Sequence, residues 1–200
     1  MRKGILGGTF DPIHLGHLRI AYAALEEMAL DRVVFLPDGD PPHKKPNSQK
    51  HDRLRMAQLA CAHEPRFMVS DMELRRQGRT YTVDTLLAIK EKEPEAELIY
   101  LIGSDTLYQL PTWRTIHRVT ALCRMAIVLR PGDDRGQVQA KMDEFADVYG
   151  LDSQLLRTRG LDLSSSQVRQ AVAQGQDISG MVPEKVAAYI AQESLYQPAT

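Results

Sequence analysis

The sequence has few cysteines, almost no net charge and no long apolar run. Its two cysteines, Cys61 and Cys123, lie far apart in apolar surroundings. They do not make a disulfide framework, and they fit two buried thiols in a reducing compartment. The 25 basic and 26 acidic side chains leave a net charge of −1. We therefore expect neither a nucleic acid nor an anionic membrane as partner.

We expect no targeting segment from the first residues of this sequence. "MRKGILGG" contains two basic residues but no adequate apolar region and no small-residue cleavage site. No segment approaches the ~20 apolar residues that a membrane span needs.

We expect a cytoplasmic protein whose 200 residues form a single domain over 1–200. No surface stripe is obviously an interface, which leaves the oligomeric state open between a monomer and a small homo-oligomer.

Short apolar, β-branched segments alternate with segments of helical periodicity. Strands are predicted at 3–8, 32–37, 66–71, 97–105, 124–132 and 153–158, and helices at 15–28, 51–62, 81–93, 136–150, 164–175 and 183–196. Leu54, Leu59 and Cys61 or Ala62 are expected to face inward from the second helix. This order predicts an α/β fold. The expected form is a Rossmann-like, doubly wound, mostly parallel sheet with helices on both faces and a small C-terminal helical portion.

In such a sheet, ligands bind at the carboxyl ends of the strands, and "GGTFDPIHLGH" (7–17) follows the first strand. Gly7 and Gly8 allow a tight turn and let an anion approach backbone N–H groups. Gly16 leaves space for a flat group in the first turn of the helix. His14 and His17 project from neighbouring positions, can donate hydrogen bonds to phosphate oxygens and can hold a proton near neutral pH. The stretch indicates a phosphate site.

Simpler interpretations of this stretch remain open. A Gly-Gly pair after a strand is commonly only a turn, and a single histidine is commonly structural. The histidine pair would make half of a zinc site, but no third ligand of the expected kind is nearby. The sequence contains no G-x-x-x-x-G-K-[ST] motif, and its spacing is not G-x-G-x-x-G.

A second candidate anion site is "LSSSQVR" (163–169) near the end of the chain. Ser164 and Ser165 are placed to open a helix as capping residues, with hydroxyl and N–H groups available to an anion. Arg169 follows one turn later, where its guanidinium could reach phosphates. Alternatively, the serines only cap a helix and Arg169 is solvated.

Together, the two motifs resemble those of the nucleotidyltransferase superfamily with the H-x-G-H motif, about 150 residues apart in the expected order. Ser166 stands where that superfamily usually has threonine, which keeps the hydroxyl. The resemblance implies catalytic roles for His14, His17, Lys44 and Arg169. It implies ATP binding by Gly7, Gly8, Thr9, Phe10, Gly16, Gly103, Asp105, Ser164 and Ser165.

Four further stretches are similar to the bacterial nicotinate mononucleotide adenylyltransferases. They are "PDGDPPHK" (37–44), "TYTVDTL" (80–86), "IGSDTL" (102–107) and "LPTWRTIHR" (110–118). This resemblance implies transfer of AMP from ATP to nicotinate mononucleotide, with pyrophosphate released. It also implies acceptor binding by Thr82, Trp113, Arg114 and His43, and Mg²⁺ held mainly by ATP rather than by a protein metal site.

Some of these residues have a second interpretation. Trp113 either stacks on a pyridine ring or is a partly buried anchor. Asp105 either accepts ribose hydroxyls or caps the next helix. His43 and Lys44 lie on the polar loop 38–50 and either close over phosphates or are solvated.

Competing functions come from within and outside the superfamily. Phosphopantetheine adenylyltransferases share both motifs but are shorter and would not need the Trp113 region. Cytidylyltransferases share H-x-G-H and differ around the second motif. A nucleotide sensor without catalysis would keep the glycines and lose His17, Lys44 or Arg169, all of which are present. The sequence does not decide between a carboxylate and a carboxamide on the pyridine ring.

Overall fold

A computed structural model of the chain describes residues 1–39 and 46–198. His43 and Lys44, with the other residues of 40–45 in the predicted loop 38–50, lie outside the described residues.

The six predicted strands form one sheet. They are β1 (Arg2–Gly8), β2 (Arg32–Pro37), β3 (Phe67–Val69), β4 (Glu97–Gly103), β5 (Arg124–Leu129) and β6 (Ser153–Arg159). Their order is β3-β2-β1-β4-β5-β6, and each neighbouring pair is parallel. The predicted mostly parallel, doubly wound sheet is confirmed. Because the strand order reverses between β1 and β4, the carboxyl ends of these two strands flank the expected ligand crevice.

The helices lie at α1 (Leu15–Glu27), α2 (Lys50–Cys61), α3 (Thr82–Lys92), α4 (Ser104–Leu107), α5 (Ile116–Leu122), α6 (Arg135–Tyr149), α7 (Ser165–Ala173) and α8 (Glu184–Gln192), with a 3₁₀ turn at Leu110–Thr112. The six predicted helices are confirmed. Two short helices were not predicted. The Gly-Ser-Asp stretch after β4 opens the four-residue α4 instead of a simple turn, and α5 is only seven residues long. Neither is long enough to show a clear helical period.

Two apolar clusters cover the two faces of the sheet. Side chains of β1 alternate between them, since Leu6 packs with the α1, α2, α7 and α8 side, whereas Ile5 packs with the α3, α5 and α6 side. The helices therefore cover both faces, as predicted. Cys61 and Cys123 are free and buried, and burial raises the pKa of each thiol to about 12.

The inward face of α2 differs from the prediction. Cys61 is buried and the half-buried Leu59 packs against the core, as predicted, but Leu54 is only half-buried and Ala62 is exposed. Instead, Arg53 is fully buried, where it donates hydrogen bonds to the backbone oxygens of Thr9 (2.9 Å) and Asp38 (2.7 Å). A charged side chain is rarely buried without such partners, so hydrophobic periodicity alone could not identify Arg53 as an inward residue.

None of the helices in the described part of the chain is long and apolar enough to cross a membrane.

Candidate functional site

A polar cavity of about 490 Å³ opens at the carboxyl ends of β1 and β4. Its lining comes from four parts of the chain: Thr9, Asp11, His14 and His17; Pro46 and Asn47; Asp105 and Arg130; and Leu163, Ser164, Ser165, Ser166 and Arg169. The structure therefore brings the two sequence motifs, at opposite ends of the chain, into one site. Of the predicted residues, seven line it directly: Thr9, His14, His17, Asp105, Ser164, Ser165 and Arg169.

His14 is the N-cap residue of α1, and only 4% of it is exposed. Burial, with a smaller contribution from the positive charge of Arg130, lowers its pKa from 6.5 to about 4. The expectation that this imidazole holds a proton near neutral pH is therefore wrong, because desolvation disfavours the charged form. Its Nδ1 atom is buried without a hydrogen-bond partner among the described residues. At neutral pH, His14 is a neutral ring with one N–H donor.

His17 lies one turn further along α1, and its ring stacks on that of His14 at a centroid separation of 3.7 Å. Its Nδ1 accepts a hydrogen bond from the backbone N–H of His14 at 3.1 Å. In the neutral ring the proton is therefore on Nε2. The ring of Phe10 meets His17 edge-on, with centroids 5.0 Å apart.

Phe10 was predicted to bind ATP, but its side chain is 1% exposed and belongs to the apolar core. Its backbone is in the left-handed region, at φ 49°. The turn thus directs this ring inward against His17, and only the backbone of residue 10 is left for a ligand.

Gly16 leaves space for a flat group, as predicted, but that group is a side chain of the protein. A Cβ atom at residue 16 would lie 2.9 Å from Nδ1 of His14. Gly7 likewise admits Tyr100, whose hydroxyl would lie 2.5 Å from a Cβ at residue 7. These two glycines therefore place other side chains at the site. Gly8, at the end of β1, and Gly103, at the end of β4, mark the edge of the sheet on which the cavity lies.

The start of α1 is less open than expected. The backbone N–H of Leu15 donates to the carbonyl of Met181 (2.9 Å), and that of His17 donates to the carbonyl of His14 (3.0 Å). A segment near the C-terminus thus satisfies one of the N–H groups that an anion was expected to use.

The start of α7 agrees better with the prediction. Ser164 is its N-cap, and its hydroxyl accepts from the backbone N–H of Gln167 at 3.2 Å. The Ser165 hydroxyl donates to the carbonyl of Pro12 at 2.8 Å, which joins the second motif directly to the first. Ser164 therefore has the predicted capping role, whereas Ser165 is the first residue of α7 and holds the two motifs together.

Arg169 is fixed at one side of the cavity. Its Nη1 donates to the carbonyl of Asp11 at 2.7 Å, and its Nη2 donates to the Ser166 hydroxyl at 3.1 Å. About a quarter of the side chain is exposed. The alternative that Arg169 is only a solvated residue is therefore wrong.

Asp105 is held by an arginine that sequence reasoning missed. Arg130 binds its carboxylate through two hydrogen bonds, Nε to Oδ1 at 3.0 Å and Nη2 to Oδ2 at 3.2 Å. Asp105 does not cap α4, since the N-cap is Gly103. Arg130 directly follows β5, so its place after a buried strand was the available signal.

Asp11 is a second missed residue. It lies inside the first motif, yet no role was predicted for it. Its buried carboxylate is a hydrogen-bond acceptor at the wall of the cavity, and nothing in the spacing of the motif indicates its partners.

Three of the predicted acceptor residues, Thr82, Trp113 and Arg114, lie apart from the cavity lining, around two tyrosines. Tyr100 is buried, hydrogen-bonds to the side chain of Thr82 and meets the ring of Trp113 edge-on at 5.7 Å. Burial raises the pKa of the Tyr100 hydroxyl. Arg114 holds its guanidinium 4.7 Å above the ring of Tyr81. We call Thr82, Trp113 and Arg114, with Tyr81 and Tyr100, the Tyr100 group. Since the Tyr100 hydroxyl reaches Gly7, the Tyr100 group adjoins the first motif.

A protein-borne metal site is not evident. Residues 1–39 and 46–198 contain no group of three histidine, cysteine, aspartate or glutamate side chains suited to hold an ion. The two cavity carboxylates, Asp11 and Asp105, already have hydrogen-bond donors. A divalent ion bound by the oxygens of a phosphate ligand would be compatible with these two carboxylates.

Residues 5–171 match the model of the cytidylyltransferase-like family. A Clostridium botulinum (strain Kyoto / Type A2) protein named as a nicotinate-nucleotide adenylyltransferase is 38% identical over 200 residues, which cover 98% of this chain and 100% of the relative. One from Dehalococcoides mccartyi (strain CBDB1) with the same name is 43% identical over 202 residues, covering 98% and 97%.

The solved structure of Plasmodium falciparum nicotinic acid mononucleotide adenylyltransferase complexed with NaAD matches with a TM-score of 0.81. Its sequence is 19% identical, and the match covers 98% of this chain and 97% of the other. At that identity the likeness concerns the fold, and it agrees with the predicted α/β architecture.

Proposed function

The chain belongs to the cytidylyltransferase-like family, and from that membership we propose that it transfers AMP from ATP to nicotinate mononucleotide. The products are nicotinate adenine dinucleotide and pyrophosphate, and the reaction belongs to NAD biosynthesis. The observation that supports this best is the meeting of both motifs in one polar cavity beside the Tyr100 group. Relatives that match nearly the whole chain are named for the same reaction.

The chemistry requires no covalent intermediate with the protein. A 5′-phosphate oxygen of the mononucleotide attacks the α-phosphorus of ATP in line. The bond from that phosphorus to the oxygen bridging to the β-phosphate breaks, and pyrophosphate leaves. A phosphate monoester is already a sufficient nucleophile, so no general base is needed. The protein contributes positioning and stabilisation of the developing charge.

The cavity supplies donors for that charge. Nε2 of His17 and the single N–H of neutral His14 donate to phosphate oxygens, while Arg169 adds a fixed positive charge. The start of α7, with Ser164 and Ser165, adds backbone N–H groups and the positive end of a helix dipole. Lys44 is assigned the same task on the basis of the resemblance alone.

The remaining ATP contacts follow the placement of the residues. Asp105, oriented by Arg130, accepts the ribose hydroxyls. Thr9 lines the cavity. The backbone of Gly8, Phe10 and Gly103 lies beside the nucleotide, whereas Gly7 and Gly16 contribute through the space that they leave for Tyr100 and His14.

The acceptor binds at the Tyr100 group. Trp113 stacks on the pyridine ring, and Thr82 with the backbone of Arg114 contacts the carboxylate. His43 is assigned to the same ligand from the resemblance.

We place this reaction in the cytoplasm, where two free thiols remain reduced. Residues 1–200 act as one domain, either as a monomer or as a small homo-oligomer. Neither a nucleic acid nor a membrane takes part. Mg²⁺ enters as part of the ATP substrate, bound chiefly by phosphate oxygens, and it supplies charge neutralisation at the phosphates.

The deciding experiment measures pyrophosphate release with ATP and Mg²⁺ and three acceptors: nicotinate mononucleotide, its nicotinamide analogue and phosphopantetheine. We expect fast release with the nicotinate form and much slower release with the amide. Release with phosphopantetheine alone would keep the chemistry and refute the acceptor site at Trp113. ATP binding without release for any acceptor would favour a nucleotide sensor.

A further inference from the structure

The carboxylate of Asp11 joins three separate parts of the chain at the wall of the cavity. Its Oδ1 accepts hydrogen bonds from the hydroxyls of Ser48 (2.5 Å) and Tyr196 (2.8 Å). Its Oδ2 accepts from the backbone N–H of Asn47 at 2.6 Å and from the Asn47 amide at 3.4 Å. Asp11 is 3% exposed. One buried side chain thus binds the segment before α2 and the segment after α8.

This carboxylate is ionised at neutral pH. Burial by itself would raise the pKa of Asp11, but the hydrogen bonds from Ser48, Asn47 and Tyr196 outweigh burial and hold that pKa below its ordinary value. Hydrogen bonds to a charged acceptor are stronger than those between neutral groups. The network therefore fixes the position of a negative charge.

The same residue determines the position of Arg169. Nη1 of Arg169 donates to the backbone carbonyl of Asp11 at 2.7 Å, and the Asp11 Oδ2 atom lies 4.0 Å from that nitrogen. The next residue, Pro12, accepts the Ser165 hydroxyl. Displacement of residue 11 would therefore shift both the guanidinium and the start of α7 relative to the cavity.

One member of the network lies beyond the region that matches the family model. The family match ends at residue 171, whereas Tyr196 follows α8. Tyr196 has a backbone φ of 63°, and its hydroxyl also lies 3.2 Å from the Ser48 hydroxyl. Burial raises the pKa of this phenol, so it remains a hydrogen-bond donor.

We propose that Asp11 and Tyr196 are positioning residues of the phosphate site, through which the C-terminal segment holds Arg169 in place for ATP. Neither residue contacts the reacting atoms in this scheme. The inference rests on the proposed function only in taking a nucleotide triphosphate as the ligand.

The test compares two tyrosines of the C-terminal segment. Tyr196→Phe removes one hydroxyl that binds Asp11. Tyr189→Phe is the matched control, because the Tyr189 hydroxyl donates to another buried carboxylate, that of Asp52, at 2.9 Å. Neither Tyr189 nor Asp52 lines the cavity. The dissociation constant of Mg²⁺-ATP is measured by calorimetry without an acceptor, together with the melting temperature. We expect about fivefold weaker ATP binding for Tyr196→Phe and unchanged binding for Tyr189→Phe.

A double-variant cycle tests whether the effect passes through Arg169. Tyr196→Phe should add little to the loss in ATP affinity caused by Arg169→Lys, because residues in one network are not additive. Asp11→Asn, which keeps the shape and removes the charge, should weaken ATP binding more than Tyr196→Phe does. With nicotinate mononucleotide as acceptor, kcat should fall in Tyr196→Phe and in Asp11→Asn, while the KM for nicotinate mononucleotide stays unchanged.

Equal ATP affinities for the two tyrosine variants would overturn the proposal, as would additive losses in the double variant. The comparison of the two tyrosine variants and the double-variant cycle both measure ATP binding without an acceptor. A wild-type protein that binds ATP but does not convert nicotinate mononucleotide would refute the proposed function and leave this comparison decisive for the positioning role.

Discussion

The imidazole rings of His14 and His17 are stacked, with centroids 3.7 Å apart and planes inclined by 28°. Two positive charges at such a distance would repel each other by about 4 kcal/mol at an effective dielectric constant of about 20. Burial already keeps His14 neutral at neutral pH. The pair therefore presents hydrogen-bond donors, and no more than one positive charge, to a phosphate ligand. Among the described lining residues, Arg169 and Arg130 carry positive charge.

Replacing His17 with alanine should greatly reduce turnover without unfolding the protein. Removal of one electrostatic donor to a developing charge typically costs about 10²–10³ in rate, and we expect a loss of that size for His17→Ala. The measurement is kcat from pyrophosphate release, with circular dichroism to verify the fold. His63→Ala is the control, since His63 is exposed and does not line the cavity. An unchanged turnover number for His17→Ala would contradict the assignment.

The depressed pKa of His14 makes stability depend on pH. In the unfolded chain this residue titrates near 6.5, and in the folded protein at about 4. Between these values the unfolded state binds more protons, so the free energy of unfolding rises as pH increases from about 4 to about 6.5. One pKa unit corresponds to about 1.4 kcal/mol, and the contribution of His14 across this window should be a few kcal/mol. Urea unfolding at several pH values measures it.

The control for this pH effect is His14→Asn, because other groups also titrate in the window. Burial raises the pKa of Glu73 above 4.5, which lowers stability as pH rises and opposes the His14 effect. The difference between wild type and variant isolates His14. If both proteins have the same slope between pH 4 and pH 6.5, His14 is not buried as a neutral ring.

The sequence predicted the sheet, the main helices and the two motifs well because each has a local signal. Buried parallel strands are continuous apolar runs, and the serines of α7 are recognisable as helix caps. The network of Asp11 and the pairing of Asp105 with Arg130 have no such signal. Their partners lie between 25 and 185 residues away in the chain, so only the folded arrangement identifies them.

The charge state of His14 was mispredicted for a related reason. An isolated H-x-G-H motif at the start of a helix suggests two solvated imidazoles. Here the turn buries the first ring against Gly16 and the second ring. Desolvation of a side chain depends on what packs over it, and residue spacing does not report that.

Trp113 should act chiefly on the acceptor. Trp113→Ala is expected to raise the KM for nicotinate mononucleotide about tenfold or more, because base–aromatic stacking contributes about 1–3 kcal/mol, and to leave the ATP dissociation constant unchanged. Trp113→Phe should lie between alanine and wild type. Steady-state kinetics with each substrate varied gives both numbers.

The alternative, a partly buried anchor, predicts a different pattern for Trp113. Its ring packs against Tyr100 in the apolar cluster on the α3 and α5 side. Tyr149, half-buried in the same cluster, is the matched control. If Trp113→Ala and Tyr149→Ala lower the melting temperature equally and neither changes the acceptor KM, Trp113 is only an anchor.

Alanine at residue 16 should damage catalysis while keeping the helix. Its Cβ would lie 2.9 Å from Nδ1 and 3.0 Å from Cε1 of His14, closer than normal contact. The His14 ring is buried and stacked on His17, so both rings must shift together, and misplacement by about 1 Å can cost about 10² in rate. Alanine is also the better helix former by about 1 kcal/mol, so a loss of kcat without loss of melting temperature would locate the damage at the rings. Gly136→Ala, at the same position in the first turn of α6, should keep full activity because residue 136 does not line the cavity and its Cβ would approach only Oδ1 of Asp134, at 3.2 Å. Full activity in Gly16→Ala would show that the His14–His17 stack has no part in the reaction.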